Sequence, residues 1–302
     1  MTEGNAPGDS FGPHVSPTDA YSAAASALFL GYSAPMPGTD SRYTDITTAH
    51  ETRLLGVPAL AAAASGAADR PLGETVLEAV LGSRSVAGRA DLRTAGYLAP
   101  LARAALLGER LGKVLAGLSY GDARLFARAL EAAGPGYVGS ALDGAINVAL
   151  GAGRDATLRD AMRFSADRDP MSREYARNFE VTRELARPAL FGALARVEAA
   201  RPALVQAYLE VLSEVPDLDV AGRATRKEAE EVSRMAHGVL KSGGVHSRRG
   251  LQAIANLGGL LRSDARLAPT ATEPPIIAAA FLLTLEHGIG YLNGHVRPAP
   301  QR

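Results

Sequence analysis

The hydrophobic pattern of the chain repeats with helical spacing and shows no convincing alternation between neighbouring positions. Apolar residues recur three and four positions apart, as they do along one buried helix face. β-Branched and aromatic residues rarely cluster, which argues against strands. Helices are predicted over residues 16–30, 46–66, 72–82, 91–118, 120–133, 141–151, 156–164, 171–199, 202–214, 221–241, 247–262 and 275–288.

This pattern predicts an all-α fold, a single globular domain of roughly ten or more helices over residues 16–289. Residues 1–15 and 290–302 show no periodicity and are predicted to be flexible N-terminal and C-terminal tails. Pro100 falls inside the 91–118 segment and predicts a kink or break there. Proline lacks an amide donor, and its ring clashes with the preceding turn of a helix.

Composition excludes several classes of protein. Hydrophobic residues make up 47% of the chain, aromatic residues only 5%, and tryptophan is absent, so the core must consist mostly of Ala, Leu, Val and Ile. Acidic and basic residues number 32 each, which leaves no global field to attract nucleic acid or an anionic membrane. The absence of cysteine excludes disulfides, thiolate metal sites and a cysteine nucleophile.

No segment of the sequence is suited to cross a membrane. The longest apolar run, "IIAAAFLLTL" (276–285), is well short of the ~20 residues of a membrane helix. The first residues lack the basic and then apolar pattern of a signal peptide. We therefore expect a cytoplasmic protein with neither a membrane nor a nucleic acid as its partner.

The stretch "SAPMPGTDSRYTD" (33–45) separates two helical patterns. Its two prolines disfavour helix, and Gly38 permits a positive φ. In such a loop the planar guanidinium of Arg42 could hold a phosphate, and Asp40 or Asp45 could hold Mg²⁺. The alternative is an ordinary connection in which Asp45 or Thr44 caps the next helix.

The stretch "GSRSVAGRADLR" (82–93) carries Arg84, Arg89 and Arg93 where a helix is predicted to begin. A helix N-terminus together with guanidinium groups attracts anions. The alternative is that Asp91 caps the helix and the arginines are solvated.

The stretch "SADRDPMSREYARNFE" (165–180) contains three adjacent charges, Asp167, Arg168 and Asp169. The two carboxylates could share a metal ion. The alternative is a helix start with Asp169 as the N-cap and Pro170 at the first helical position.

Other charged stretches are weaker candidates. The mixed charges of 222–234 are typical of a solvated helix face, apart from Arg223 at its start, which we retain as an anion contact. In the stretch 241–250, His246, Arg248 and Arg249 could reach an anion, but a surface loop between helices is the preferred interpretation. No histidine pair has the spacing of a helical metal site, and no Walker A, Rossmann or nucleophile-elbow motif occurs.

Taken in order across residues 31–281, these stretches resemble motifs of the triphosphoribosyl-dephospho-CoA synthase family. The first loop and the 89–102 segment "RADLRTAGYLAPLA" resemble family motifs P-K-P-G-N and N-T-N-L-G before L-A-P-L-A. The remaining matches are "PGYVG" (135–139) with P-G-G-L-G, 166–190 with a stretch holding an R-D pair and F-E, 212–223 with a segment ending in R-K, and "LAPTATEPP" (267–275) with N-P-G-T-T-A-D.

The resemblance implies a helical enzyme that moves the triphosphoribosyl group of ATP onto the ribose 2′-hydroxyl of dephospho-CoA and releases adenine. It implies Mg²⁺ as a cofactor with ATP, and a nucleotide and a CoA-like or other small acceptor as partners. Phosphate or substrate contacts are then expected from Arg42, Arg89, Arg93, Arg168, Arg223, Gly38 and Thr272. Catalytic carboxylates are expected at Asp45, Asp91 and Asp169, with Asp45 and Asp169 also contacting metal.

The chain departs from the family pattern where chemistry is expected. In the first loop, Gly31, Met36 and Thr39 replace the family's glutamate, lysine and asparagine. In the second motif, Arg89 and Arg93 replace asparagine and glycine. In the last motif, Ala268 and Pro274 replace asparagine and aspartate. We expect a diverged transferase with a rebuilt anion pocket, acting in a specialised biosynthetic pathway. Two alternatives stay open: other chemistry on a small anionic substrate, or a non-catalytic interaction protein, for instance a homodimer.

Overall fold

A computed structural model describes residues 15–41, 43, 49–197, 199–288 and 290–292. Every regular element in these ranges is helical, which confirms the predicted all-α fold. One π-helical segment (Val181–Ala186) and two short 3-10 turns interrupt the α-helices. The α-helices are α1 (Pro17–Ser33), α2 (Ala49–Ser65), α3 (Leu72–Ala87), α4 (Leu92–Leu107), α5 (Leu111–Ala116), α6 (Tyr120–Ala133), α7 (Ala141–Ala152), α8 (Leu158–Ser165), α9 (Pro170–Ala176), α10 (Arg187–Arg196), α11 (Ala200–Glu214), α12 (Leu218–Arg223), α13 (Arg226–Lys241), α14 (Arg248–Ser263) and α15 (Glu273–His287).

Pro100 does not break its helix, so the predicted break at this position is wrong. Helix α4 runs through it and ends at Gly108, whose φ of 61° is a left-handed helix cap. Proline removes the amide that would pair with the carbonyl of Gly96, four residues earlier. The buried hydroxyl of Tyr175 donates to that carbonyl instead, at 2.7 Å, so the helix continues without an unpaired buried carbonyl.

The predicted helix over 171–199 is also wrong as a single element. Asn178 and Phe179 both adopt left-handed backbone angles, with φ of 56° and 58°, and separate α9 from the π-helical segment. The buried carboxylate of Glu174 accepts hydrogen bonds of 3.0 and 3.1 Å from the first two amides of that segment. The break is therefore stabilised by a side chain from the preceding helix, which satisfies otherwise unpaired amides.

Two further boundaries differ from the predictions. The 221–241 segment is divided into α12 and α13, because Thr225 accepts from the amide of Glu228 and starts a new helix. The 72–82 segment continues to residue 87 and ends at Gly88, which has a φ of 67°. Residues 82–87 therefore belong to the end of α3 and not to the start of α4.

Helix α15 is the most enclosed element, since residues 273–284 are buried on all sides. It packs against α1, α4 and α10. At Gly31 the backbone of α1 comes so close that a Cβ would lie 2.4 Å from Cγ1 of Ile277. The core is mainly alanine and leucine, as the composition predicted.

The predicted tails fall mainly on residues 1–14 and 293–302, which lie outside the described ranges. Val15 and Leu292, at the inner edges of these tails, are buried. Among the described helices, none combines the length and the apolar content that a bilayer crossing requires.

Candidate functional site

Two loops from opposite ends of the sequence meet beneath the candidate site. The buried hydroxyl of Tyr208 donates to the carbonyls of Pro37, at 2.9 Å, and Pro269, at 3.3 Å. Gly38 has a φ of 85°, and a Cβ there would lie 2.8 Å from Cδ of Pro269. Only glycine fits this backbone without strain. The first and last motif stretches are therefore one structural unit.

A first network joins α1, α2, α4 and α15. The Oδ2 of Asp91 accepts from the Tyr32 hydroxyl at 2.5 Å, and its Oδ1 accepts from the amide of Thr94 at 3.1 Å. The guanidinium carbon of Arg53 lies 3.9 Å from the centroid of the Tyr32 ring. Arg53 also donates two hydrogen bonds, of 3.0 and 2.6 Å, to the carboxylate of Glu273. This is the planar, two-point geometry for which arginine is suited.

The first network keeps its charges at neutral pH. Burial by itself raises the pKa of Asp91, but the charge of Arg53 and the hydrogen bonds from Tyr32 and Thr94 outweigh it, and the pKa lies below its usual value. Burial also opposes the charge on Arg53, yet Glu273 and Tyr32 hold its pKa above the ordinary value. Asp91 is therefore an ionised carboxylate in a partly enclosed position.

A second network joins α4, α12 and the loop before α15. Arg93 donates to both carboxylate oxygens of Asp219, one bond being 3.1 Å, and to the carbonyl of Thr270 at 3.3 Å. The Thr270 hydroxyl donates to Asp219 at 2.6 Å and accepts from Arg223 at 3.1 Å. Arg223 also donates to the carbonyl of Ala268. Two guanidinium groups from separate stretches thus meet at one threonine.

Asp217 supports the second network from inside. Its Oδ1 accepts from the amides of Asp219 and Val220, at 2.9 and 3.1 Å, and so starts α12. Its Oδ2 accepts from the amide of Ala271 and the hydroxyl of Thr272, both at 2.9 Å. One buried carboxylate therefore fixes the last loop against α12.

The carboxyl groups of this region have pKa values shifted in opposite directions. Burial, followed by the negative charge of Asp219, raises the pKa of Asp217 to about 6. Burial also opposes ionisation of Asp219, but its bonded partner Arg93 lowers the pKa below the usual value. Burial raises the pKa of Asp169, which the charge of Arg93 only partly offsets. Opposed shifts of this kind mark functional-site candidates.

Several of the predicted residues come together here. Asp91 belongs to the first network and Arg93 and Arg223 to the second, while Thr272 belongs to its support. Asp169 lies close enough to Arg93 for each to shift the pKa of the other. The structure thus brings a predicted anion contact and predicted carboxylates into one region.

Other predicted residues lie apart or outside the described ranges. Arg89 is exposed and forms no hydrogen bond or ion pair within the described part of the chain. Arg168 is exposed, with its guanidinium carbon 5.8 Å from the centroid of the Phe164 ring. Arg42 and Asp45 fall outside the described residues, so their proposed roles stay predictions.

The capping interpretations of two candidates are confirmed. Asp91 is the N-cap of α4, and Asp169 is the N-cap of α9, accepting from the amide of Ser172 at 2.7 Å with Pro170 at the first helical position. Capping uses one carboxylate oxygen of Asp169.

The described residues do not by themselves form a metal site. Within these ranges no group of three or more His, Asp or Glu side chains could hold an ion. The oxygens of Asp91, Asp217 and Asp219 already accept from arginine, hydroxyl or amide donors. A Mg²⁺ ion that is bound by phosphate oxygens needs only one or two protein carboxylates.

The networks contain residues that sequence reasoning did not select. They are Tyr32, Arg53, Asp217, Asp219, Thr270 and Glu273. Asp217 and Asp219 stand inside the "LSEVPDLDVAGR" stretch already compared with the family, and Glu273 directly precedes Pro274, where the family acid was sought. Tyr32 and Arg53 lie in segments with an ordinary helical pattern, and nothing in their neighbouring sequence indicates a role in a site.

The altered positions of the first loop have become packing positions. Gly31 has no room for a side chain beside Ile277, and Met36 is fully buried. Thr39 is buried, and its hydroxyl donates to the carbonyl of Met36 at 3.0 Å. The described structure therefore accounts for these three replacements by packing.

Comparisons with known proteins identify the family of this chain. The sequence model of the CitG family, ATP:dephospho-CoA triphosphoribosyl transferase, matches residues 22–291. A crystal structure of an Archaeoglobus fulgidus protein, provisionally named a triphosphoribosyl-dephospho-CoA synthase, shares the fold with a TM-score of 0.58 and 20% identity over 79% of this chain and 98% of that one. No curated protein matches. The chain belongs to the ATP:dephospho-CoA triphosphoribosyl transferase family.

Proposed function

We propose that this chain transfers the triphosphoribosyl group of ATP to a hydroxyl of a small or CoA-like acceptor and releases adenine. The observation that carries the proposal is the meeting of Arg93 and Arg223 at Thr270, beside the carboxylates of Asp91 and Asp169, in a member of this family. This arrangement supports the proposal, because a triphosphoribosyl transfer needs cations for the phosphates and carboxylates near the reacting sugar.

The reaction defines what the site must supply. The bond between C1′ and adenine breaks and a bond between C1′ and the acceptor oxygen forms, through an oxocarbenium-like transition state. The acceptor hydroxyl gives its proton to a base, and adenine leaves with a proton from an acid or from water. Fixed carboxylates stabilise the positive charge at C1′, while fixed cations hold the triphosphate.

The pKa shifts divide these roles among the carboxylates. Asp91, whose pKa is lowered, stays ionised and suits stabilisation of the developing positive charge. Asp169, whose pKa is raised, is the better proton acceptor for the acceptor hydroxyl. Asp45 is proposed as a second carboxylate for these tasks or for Mg²⁺.

Arginines are proposed to hold the triphosphate. Arg93 and Arg223 are proposed first, because both donate hydrogen bonds to Thr270 and their guanidinium groups therefore lie at the same loop. Arg42, Arg89 and Arg168 are proposed as further contacts, with Gly38 and Thr272 shaping the loops. The Mg²⁺ ion is proposed to enter with ATP, bound chiefly by its phosphate oxygens.

The acceptor is proposed to differ from dephospho-CoA, within a specialised biosynthetic pathway. The three first-loop positions at which the family carries polar side chains are here glycine, a buried methionine and a buried threonine. Arginine has entered the neighbouring motif at positions 89 and 93. These replacements support a site that still binds anions but differs from the family where it contacts the acceptor.

The test is release of free adenine, followed by chromatography. ATP, Mg²⁺ and dephospho-CoA or another hydroxyl acceptor are incubated with the protein and with Arg93→Gln, Arg223→Gln and Arg266→Gln. Arg266 is a matched control because it pairs with Asp264 on an exposed segment outside the site. We expect adenine from the wild type and the Arg266 variant, and at least about 100-fold less from the Arg93 variant, as when one strong transition-state contact is removed.

A non-catalytic family member is the second candidate, favoured by the internal packing of Met36 and Thr39. It predicts that adenine is never released, although nucleotide can still bind. Adenine that appears with the wild type, survives purification to homogeneity and disappears in the Arg223 variant removes this candidate. Absence of adenine with every nucleotide donor contradicts the transferase proposal.

A further inference from the structure

A small cavity lies beside the buried support of the second network. It has a volume of about 30 Å³ and lies between α4, α9, α11, α12 and the loop before α15. Asp217 and Thr272 form part of its wall, and apolar parts of the wall come from Tyr97, Val211 and Val215. Since a buried water needs roughly 10–15 Å³, the cavity has room for about two waters, or for two oxygens of one anionic group.

Arg173 of α9 lines the same cavity and has no protein partner. Its Nε is fully buried without a hydrogen-bond acceptor, and its guanidinium forms no ion pair within the described part of the chain. The residue as a whole is half-buried, so the guanidinium lies between the cavity and solvent. Buried donors are nearly always paired in folded proteins, so this one points to a ligand that supplies the acceptor.

The two carboxylates of the cavity already have their own donors. Glu174 accepts from the amides of Val181 and Thr182, and Asp217 accepts from three amides and from the hydroxyl of Thr272. Burial raises the pKa of Glu174 to about 7 and that of Asp217 to about 6. At neutral pH they therefore repel an incoming anion less than ordinary carboxylates do.

We propose that Arg173 binds a phosphate group of a substrate, with Nε and one terminal nitrogen donating to two phosphate oxygens at this cavity. The inference rests on the proposed function. Such two-point contacts are the characteristic way in which arginine holds phosphate. Arg173 is also next to the proposed proton acceptor in the chain, because its amide donates to the carbonyl of Asp169, one helical turn earlier, at 3.0 Å.

The phosphate can come from either substrate of the proposed reaction. ATP carries a triphosphate, and a CoA-like acceptor carries a pyrophosphate. Both present the same oxygens to a guanidinium, so the binding of each compound has to be measured separately.

The first test compares Arg173→Met with Arg177→Met. Methionine keeps the unbranched apolar stem and removes the charge. Arg177 is a matched control, because it lies one turn further along, pairs with Glu180 at 3.6 Å on the surface and does not line the cavity. Calorimetry gives the Kd for Mg²⁺–ATP, inorganic tripolyphosphate and dephospho-CoA.

We expect Arg173→Met to weaken binding by at least about 10-fold, as when a hydrogen bond to a charged group is lost, and Arg177→Met to leave it unchanged. Weaker binding of ATP and tripolyphosphate assigns the contact to the donor substrate. Weaker binding of dephospho-CoA assigns it to the acceptor.

Thermal unfolding separates a ligand contact from a structural role. Because the buried Nε has no described protein partner, Arg173→Met removes no hydrogen bond from the folded protein and should leave Tm unchanged or raise it. If the methionine variant does not fold, Arg173→Lys takes its place in the same measurements. Lysine keeps the positive charge but cannot make the two-point contact, so binding should still weaken.

The outcomes distinguish this inference from the proposed function. If the wild type binds these compounds and the Arg173 variant binds them with the same Kd, the inference is overturned, the cavity holds water only, and the proposed function stands. A lowered Tm with an unchanged Kd likewise overturns it, in favour of a structural role for Arg173. If the wild type binds none of the three compounds, the proposed function fails and this inference fails with it.

Discussion

Arg53 and Glu273 are 220 residues apart in sequence and form a two-point ion pair with hydrogen bonds of 3.0 and 2.6 Å. The pair joins α2 to the first turn of α15 and holds the guanidinium over the ring of Tyr32. Tyr32 in turn donates to Asp91. Through this chain of contacts, the most enclosed helix of the fold positions a carboxylate of the candidate site.

Breaking this pair should cost considerable stability. Glu273→Gln leaves Arg53 without its charged partner, although the side chains of both residues are about nine-tenths buried. Removing one partner of a buried pair lowers the free energy of unfolding by about 3 kcal/mol or more. Urea unfolding measures the loss. Glu230→Gln, which breaks an exposed pair with Arg226, is the control and should change stability by less than about 0.5 kcal/mol. Equal losses would show that the Arg53–Glu273 pair is not an enclosed structural contact.

The close approach of the two loops can be tested at Gly38. Gly38→Ala places a Cβ on a residue with a left-handed φ and also brings that Cβ against the ring of Pro269. Gly88→Ala places a Cβ on a residue with a left-handed φ of 67°, and nothing lies within 4 Å of the added atom. We expect a loss of about 1 kcal/mol for Gly88→Ala from the backbone alone. Gly38→Ala should lose about 2 kcal/mol more, from overpacking. Chemical denaturation curves of the two variants give the comparison, and similar losses would contradict the contact with Pro269.

The carbonyl of Gly96 should need the hydrogen bond from the Tyr175 hydroxyl only while residue 100 is proline. Tyr175→Phe leaves this buried carbonyl unpaired and should cost about 1–3 kcal/mol. In the Pro100→Ala background the new amide at position 100 can donate to the same carbonyl, so the cost of Tyr175→Phe should fall. The double-mutant cycle is read from unfolding free energies. An identical cost of Tyr175→Phe in both backgrounds would contradict this account of Pro100.

Glu174 should make stability decrease as pH rises through neutrality. Burial raises its pKa to about 7, despite hydrogen bonds from Thr182 and Val181 that favour the ionised form. The folded protein therefore holds a proton that the unfolded chain, with an ordinary glutamate pKa of ~4.3, has released. The stabilisation is complete below the unfolded pKa and is lost as pH rises through the folded pKa, by about 4 kcal/mol over this interval.

Comparison of the wild type with Glu174→Gln isolates this effect. Unfolding free energies are measured between pH 4.5 and 8 for both proteins. The difference between them should vary with pH over this window, because only the wild type titrates at this position. A difference that stays constant from pH 4.5 to 8 would show that Glu174 has the same pKa in the folded and unfolded states.

Local features of the fold were predictable from the sequence, and tertiary ones were not. Helical periodicity predicted the element type, and the residue types at Asp91 and Asp169 predicted their capping roles, since both depend on neighbours within one turn. The break after α9 depends on a carboxylate from Glu174 reaching past two left-handed residues, which no periodic pattern reports. Pro100 does not break its helix, because Tyr175, which is distant in sequence, donates the hydrogen bond that the missing proline amide cannot.

The residues of the candidate site divide in the same way, into those that the local sequence indicates and those that only tertiary contacts reveal. Arg93 and Arg223 carried a signal, because each stands in a stretch that resembles a motif of the family. Arg53 did not, because it lies on a regular helix and its role arises only from pairing with Glu273. A residue whose function depends on a partner over 200 positions away leaves no trace in its local sequence.

The most direct measurement is the mass of the acceptor after reaction with ATP and Mg²⁺, together with the amount of adenine released. The account predicts that the acceptor gains one ribosyl triphosphate for each adenine set free, and that Arg93→Gln suppresses both products together. Conversion of ATP to ADP and phosphate with no free adenine, or an acceptor of unchanged mass beside released adenine, would contradict it.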